Sequence, residues 1–161
     1  MVNERAVFRH SGFGPARRCI AALAALLLAA CDHFPQDPEG TLENVQATHS
    51  FRVGVERDLP PEAARLLREV EGATGSTARV SEGSVERLLT KLEKGEIDLV
   101  IARFGKETPW DAEAALSPPL RIDGAGETAT EWRAAMRTGE NRWIMLVETR
   151  ARRVSAVPDA S

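Results

Sequence analysis

Two kinds of apolar spacing alternate between positions 51 and 102, and their order predicts the fold. FRVGV at 51–55 alternates apolar and polar residues with the period of a strand. Pro60 and Pro61 suit a first helical turn. Ala63, Leu66, Leu67 and Val70 then recur at i, i+3, i+4 and i+7, which predicts a helix closed by Gly72. A short strand follows at 77–81, and Ser84 is placed to cap a second helix that carries Val85, Leu88, Leu89 and Leu92 on one side. Gly95 ends that helix, and Ile97 to Ala102 form a nearly continuous apolar strand that stops at Arg103. A strand this apolar, entered from an amphipathic helix, predicts the centre of a parallel sheet covered on both faces. The order β-α-β-α-β implies parallel strands joined by right-handed crossovers.

Beyond Trp110 the pattern is less regular. A short Ala-rich helical turn is expected at 111–115, followed by Leu116-Ser117-Pro118-Pro119-Leu120 and then turn chemistry at 123–126. Trp132, Ala134 and Met136 alternate, which predicts an outer strand at 131–137, with a helix as the competing reading. Gly139 interrupts the chain, and 140–153 is read as a last helix with Trp143, Ile144, Leu146 and Val147 turned inward. Trp132 and Trp143 are taken as packing residues. Ser155 to Ser161 is polar and reads as a frayed tail. Between Asp32 and Ser50 there is no sustained period and few apolar residues, so 31–50 is read as a flexible tether.

Composition narrows the function classes. The chain has 161 residues, 28% of them charged, and a net charge of -3. Much of its basic character lies near the start, in Arg5, Arg9, Arg17 and Arg18, so the remainder is mildly acidic and does not offer the basic face that nucleic acid requires. No histidine or cysteine occurs from Phe51 onward. Histidine-dependent triads, thiol nucleophiles, disulfides and cysteine metal sites are therefore excluded from the domain, and no enzyme and no cofactor is expected. The apolar run at 20–30 is far below the roughly 17–25 residues of a membrane span but fits the roughly 7–15 of a signal peptide. It ends in Leu28-Ala29-Ala30-Cys31. That ending resembles the bacterial lipobox, which implies a signal peptide at 1–30 and a lipid anchor on Cys31. Asp32 resembles the signal that retains lipoproteins in the inner membrane of a Gram-negative cell, so the expected address is the periplasmic face of that membrane.

Three segments together resemble the extracellular solute-binding proteins, family 3, that deliver amino acids and similar small polar solutes to ABC importers. They are FRVGV at 51–55, LLTKLEKGEIDLVIA at 88–102 and ALSPPL at 115–120. The resemblance implies an α/β fold: a single lobe, at 51–154, of the periplasmic-binding-protein type II fold, with a mostly parallel sheet and flanking helices. Too few residues separate Ser117 from Trp143 for the family's second lobe. In amino-acid-binding members an arginine a few positions after the central strand grips the ligand carboxylate. Trp110 stands there, and an indole does not replace an arginine fork.

In open α/β sheets ligands gather beyond the carboxyl ends of the strands. This places the expected ligand-binding residues at Glu56, Arg57, Arg103, Phe104, Lys106, Thr108, Trp110 and Ser117. Arg103 and Lys106 are suited to an anionic solute or are solvated charges. Trp110 and Phe104 either stack on a ligand or close the edge of the core, the second being favoured. Arg150, Arg152 and Arg153 are explained by the dipole of the last helix in preference to contact with headgroups. The expected function is a membrane-anchored solute-binding lipoprotein whose partners are a small polar solute, an ABC permease or other inner-membrane protein, and a second copy of the chain. The alternative is a single-lobe accessory lipoprotein that docks a membrane protein without binding solute.

Overall fold

The computed structural model describes residues 37–155. Residues 1–36, which include the stretch read as a signal peptide and Cys31, and the segment after Ser155 lie outside the described residues. The element order is α1 (Thr41–Thr48), β1 (Ser50–Val55), α2 (Pro61–Thr74), β2 (Thr77–Glu82), α3 (Val85–Glu93), β3 (Leu99–Gly105), β4 (Ala114–Leu116), β5 (Arg121–Asp123), β6 (Thr130–Arg137) and α4 (Asn141–Ser155). Short 3-10 turns occupy Pro109–Ala112 and Gly126–Thr128. None of the described helices is long and apolar enough to cross a membrane.

The strands form one mixed sheet in the order β2-β1-β3-β6-β4, with β5 also paired to β6. β1 is parallel to β2 and to β3, as the β-α-β-α-β pattern requires. β6 runs antiparallel to β3, placing Arg103 opposite Trp132 and Ile101 opposite Ala134. The sheet separates two apolar layers. Phe51, Val53, Leu99, Ile101, Trp132 and Met136 point into the larger one, where α2 and α4 contribute Leu66, Val70, Trp143 and Val147. Val100, Ala102, Phe104 and Ala135 point the other way, against Leu88, Leu89 and Leu92 of α3. Fully burying a Leu or Val contributes about 1.5–3 kcal/mol, so the spacing that made these helices legible also holds them on the sheet. Trp143 packs edge-on against Phe51 at 5.7 Å, and its indole N–H donates to the Asp98 carbonyl at 2.8 Å.

Several expectations are corrected. The stretch read as tether contains α1, whose Leu42 and Val45 are buried in the larger core. α2 continues through Gly72, which is exposed, and stops at Gly75, where φ is +66°. β3 runs on past Arg103 to Gly105, because β6 supplies partners up to Thr130. Ala114 and Ala115 belong to a strand instead of a helical turn, since β6 offers them its far edge. For the same reason β6 is interior, with β3 on one side and β4 and β5 on the other. Ser84 holds the N-cap position of α3, but its side chain makes no capping bond. α4 reaches Ser155, which begins the stretch read as a tail.

Candidate functional site

β1 leads to β2 through α2 on one face of the sheet, and β2 returns to β3 through α3 on the other. With the order β2-β1-β3, the chain switches direction at the carboxyl ends of β1 and β3, where open α/β sheets bind ligands. Glu56 and Arg103 meet at this point. The Glu56 backbone N–H continues the ladder to the Ile101 carbonyl at 3.0 Å. Its carboxylate then takes the next rung, accepting from the Arg103 backbone N–H at 2.9 Å and from the guanidinium at 2.7 and 3.3 Å. An equivalent arrangement closes the opposite end, where Asp98 accepts from the backbone N–H of Arg52 and from its guanidinium at 2.6 and 3.0 Å. The β1–β3 pairing runs from Val53–Leu99 to Val55–Ile101, and at each end of it a carboxylate supplies the next acceptor.

Cross-strand pairing extends the site. Because Arg103 and Trp132 are opposite each other, the guanidinium lies over the indole, 5.2 Å from its centroid. The Trp132 N–H donates to Asp123 at 2.9 Å, and Arg121 donates to the same carboxylate at 2.7 Å. The Trp132 hydrogen bond, ahead of Arg121 and the more distant Arg103, holds Asp123 below its ordinary pKa. Glu56 in turn raises the Arg103 pKa, chiefly through the hydrogen bond. Glu56, Arg103, Trp132, Asp123 and Arg121 therefore form one continuous polar and aromatic line across β1, β3, β6 and β5. A cleft of about 900 Å³ opens between the loop after β3 and the β5–β6 hairpin, lined by Lys106, Glu107, Ile122, Glu127 and Glu131; its Ile122 and Glu131 stand in register with Phe104, on the sheet face opposite Arg103 and Trp132.

The expected site residues are only partly gathered here. Glu56 and Arg103 touch, Arg57 is exposed in the turn that follows β1, and Lys106 lines the cleft. Phe104 faces the opposite side of the sheet, 2% exposed in the α3 layer. Thr108 accepts from the Trp110 N–H and caps the 3-10 turn. Trp110 packs against the α3 layer and lines a separate pocket of about 260 Å³ with Leu89, Leu92, Ala114 and Arg137. Ser117 is fully buried; its hydroxyl donates to the Pro118 carbonyl and accepts from the Ala134 N–H, bridging the gap between β4 and β5. Sequence reasoning missed Asp123, read as a turn, and Trp132, read as packing. The signal that finds them is the β3–β6 register, which the sequence carries only once β6 is placed beside β3.

This topology defines one lobe of the periplasmic-binding-protein type. No protein-family model and no curated protein sequence matches the chain. Solved structures do. Domain 1 of TmArgBP in its arginine-bound form superposes with a TM-score of 0.59 at 17% identity, over 68% of this chain and 97% of that one. An amino acid ABC transporter substrate-binding protein from Streptococcus pneumoniae, bound to L-arginine, gives 0.61 at 8% identity, over 72% and 92%. The ancestral amino acid-binding protein AncCDT-1, described as a precursor of cyclohexadienyl dehydratase, gives 0.60 at 10% identity, over 70% and 92%. The fold of this chain is therefore a single lobe similar to domain 1 of amino-acid-binding proteins.

Proposed function

We propose that the chain is a solute-binding protein that holds a small polar solute, amino-acid-like or an organic anion, at the carboxyl edge of β1 and β3. The observation that carries this reading is the Glu56–Arg103 pair at the switch point, open to solvent on a lobe whose structural neighbours bind amino acids. The pair offers both halves of a zwitterion's recognition. A solute carboxylate would compete with Glu56 for the Arg103 fork, and a solute ammonium would compete with Arg103 for Glu56. Lys106, in the loop that follows β3, would orient the rest of the molecule. Ligands of drug size need most of their surface buried, so one lobe calls for a second wall from a permease or a second copy of the chain. In this reading Cys31 anchors the protein on the periplasmic face of the inner membrane, and an ABC importer receives the solute.

A second reading, docking of a membrane partner without solute, is favoured by one feature. Ile122 stands 58% exposed at the mouth of the cleft. The test is thermal unfolding against a panel of amino acids, amines and small organic acids. A solute at about 100 times its Kd adds roughly 2.7 kcal/mol. A clear shift with one chemical class supports solute binding; a flat panel with a cooperatively unfolding sample favours docking.

A further inference from the structure

α2 and α4 pack side by side in the larger apolar layer, and the groove between them carries an excess of one charge. It has a volume of about 300 Å³ and is lined by Arg65, Arg68, Glu69, Arg153 and Val154. Arg65 and Arg68 lie three residues apart on α2 and so share a face, where like charges oppose each other. Arg153 approaches from the last turn of α4. Among the described residues the carboxylates beside the groove are engaged: Glu62 lies 3.4 Å from Arg65, and Glu69 lies 4.0 Å from Arg150. Among the described residues, Arg68 and Arg153 have neither an ion pair nor a hydrogen bond. The dipole of α4 accounts for Arg153 and its neighbour Arg152. It does not account for Arg68, which sits within α2 and lines the same groove.

From this we infer that the α2–α4 groove is an anion site, separate from the β1–β3 edge, whose ligand is a phosphate-class oxyanion, either free or as a lipid headgroup. A tetrahedral oxyanion accepts from two guanidinium forks at once, here those of Arg68 and Arg153, and supplies the negative charge they lack. Val154, 4% exposed, provides an apolar floor that excludes water from one side of the bound ion. The contact is largely solvent-exposed, so binding weakens as salt rises.

The experiment uses residues 32–161, which contain every described element of the fold, so that neither a lipid on Cys31 nor the basic and apolar stretch at 1–30 drives vesicle binding. Inorganic phosphate is titrated at constant ionic strength, with chloride as the control, while backbone amide NMR shifts are followed. Vesicles of phosphatidylcholine, with and without phosphatidylglycerol, form the second arm. The expected result is saturable shifts around Arg65, Arg68 and Arg153 with phosphate, or retention on the anionic vesicles that phosphate displaces; the first identifies a free oxyanion and the second a headgroup. Either response is lost in Arg68→Gln/Arg153→Gln and partly kept in Arg68→Lys/Arg153→Lys. Both side chains are exposed, so the folded state of each variant is checked by an unchanged unfolding midpoint. A response no greater than that to chloride together with equal binding to both vesicles overturns the inference, as does undiminished binding by the glutamine variant.

Discussion

Glu140→Gln tests how the first helix is fastened to the last. The Glu140 side chain is fully buried just before α4, and its carboxylate accepts from the backbone N–H groups of Glu39 at 2.9 Å and Thr41 at 2.8 Å. These N–H groups sit at the start of α1, where a helix has no internal acceptors. No side chain of α1 itself caps them, so Glu140 serves as a cap supplied from 99 residues away. Glutamine keeps the shape but offers one oxygen, so one buried N–H faces an amide NH₂ and the remaining bond loses its charge assistance. A lost hydrogen bond to a charged group costs about 1.5–3 kcal/mol, so about 2 kcal/mol is expected here. For a domain of about 120 residues the unfolding entropy is roughly 0.25 kcal/mol/K, so Tm falls by about 8 °C. The assay is thermal unfolding at neutral pH, with hydrogen exchange to show that α1 amides open most readily in the variant.

The same substitution has a pH signature. Burial raises the Glu140 pKa, but the Thr41 and Glu39 N–H groups, the Thr41 hydroxyl and nearby Arg137 outweigh it, leaving the group below its ordinary value. Its stabilisation is therefore complete above the unfolded pKa, about 4.3 for a glutamate, and is lost as pH falls through the lower folded value. The gap between wild type and Glu140→Gln should close on acidification through that window. A variant Tm within 2 °C of wild type, on the scale set by that entropy, or a gap that does not change with pH, would refute the capping role.

Gly95→Ala should be costly because Gly95 has φ of +69°, where a Cβ is strained. The added Cβ would also meet the Arg137 guanidinium, the end of a long side chain that can move aside. A loss of about 1–2 kcal/mol is expected, read as a lower urea midpoint with an unchanged slope. Glu56→Gln removes a half-exposed ion pair, so stability should change by about 1 kcal/mol or less. It also weakens the internal competitor for Arg103, so calorimetric titration should show tighter binding of carboxylate solutes that carry no ammonium group; unchanged or weaker binding of these would place their carboxylate elsewhere.

The elements legible in the sequence are those whose own side chains hold them in place. α2, α3 and α4 display apolar faces at helical spacing, and β1 and β3 are apolar enough to announce burial. α1 was hidden because Leu42 and Val45 are too few to make a period and its fastening comes from Glu140. β4 is three residues long and exists because β6 presents an edge to it. The site was legible by position: Glu56, Arg57, Arg103 and Lys106 lie where strand ends were expected. Its partnerships were not, because Glu56 and Arg103 are 47 residues apart and Trp132 joins them only through an antiparallel register. Phe104 shows the limit of reasoning by proximity along the chain, since the residue after Arg103 necessarily points through the sheet to the other layer.

Solute binding at the β1–β3 edge is tested most directly by amide NMR of the chain with the solute panel added, because the shifts report place as well as binding. Shifts concentrated at Glu56, Arg57, Arg103 and Lys106 and along the β5–β6 hairpin are expected. No shift with any solute, or shifts confined to the Trp110 pocket beneath α3, would contradict binding at this edge.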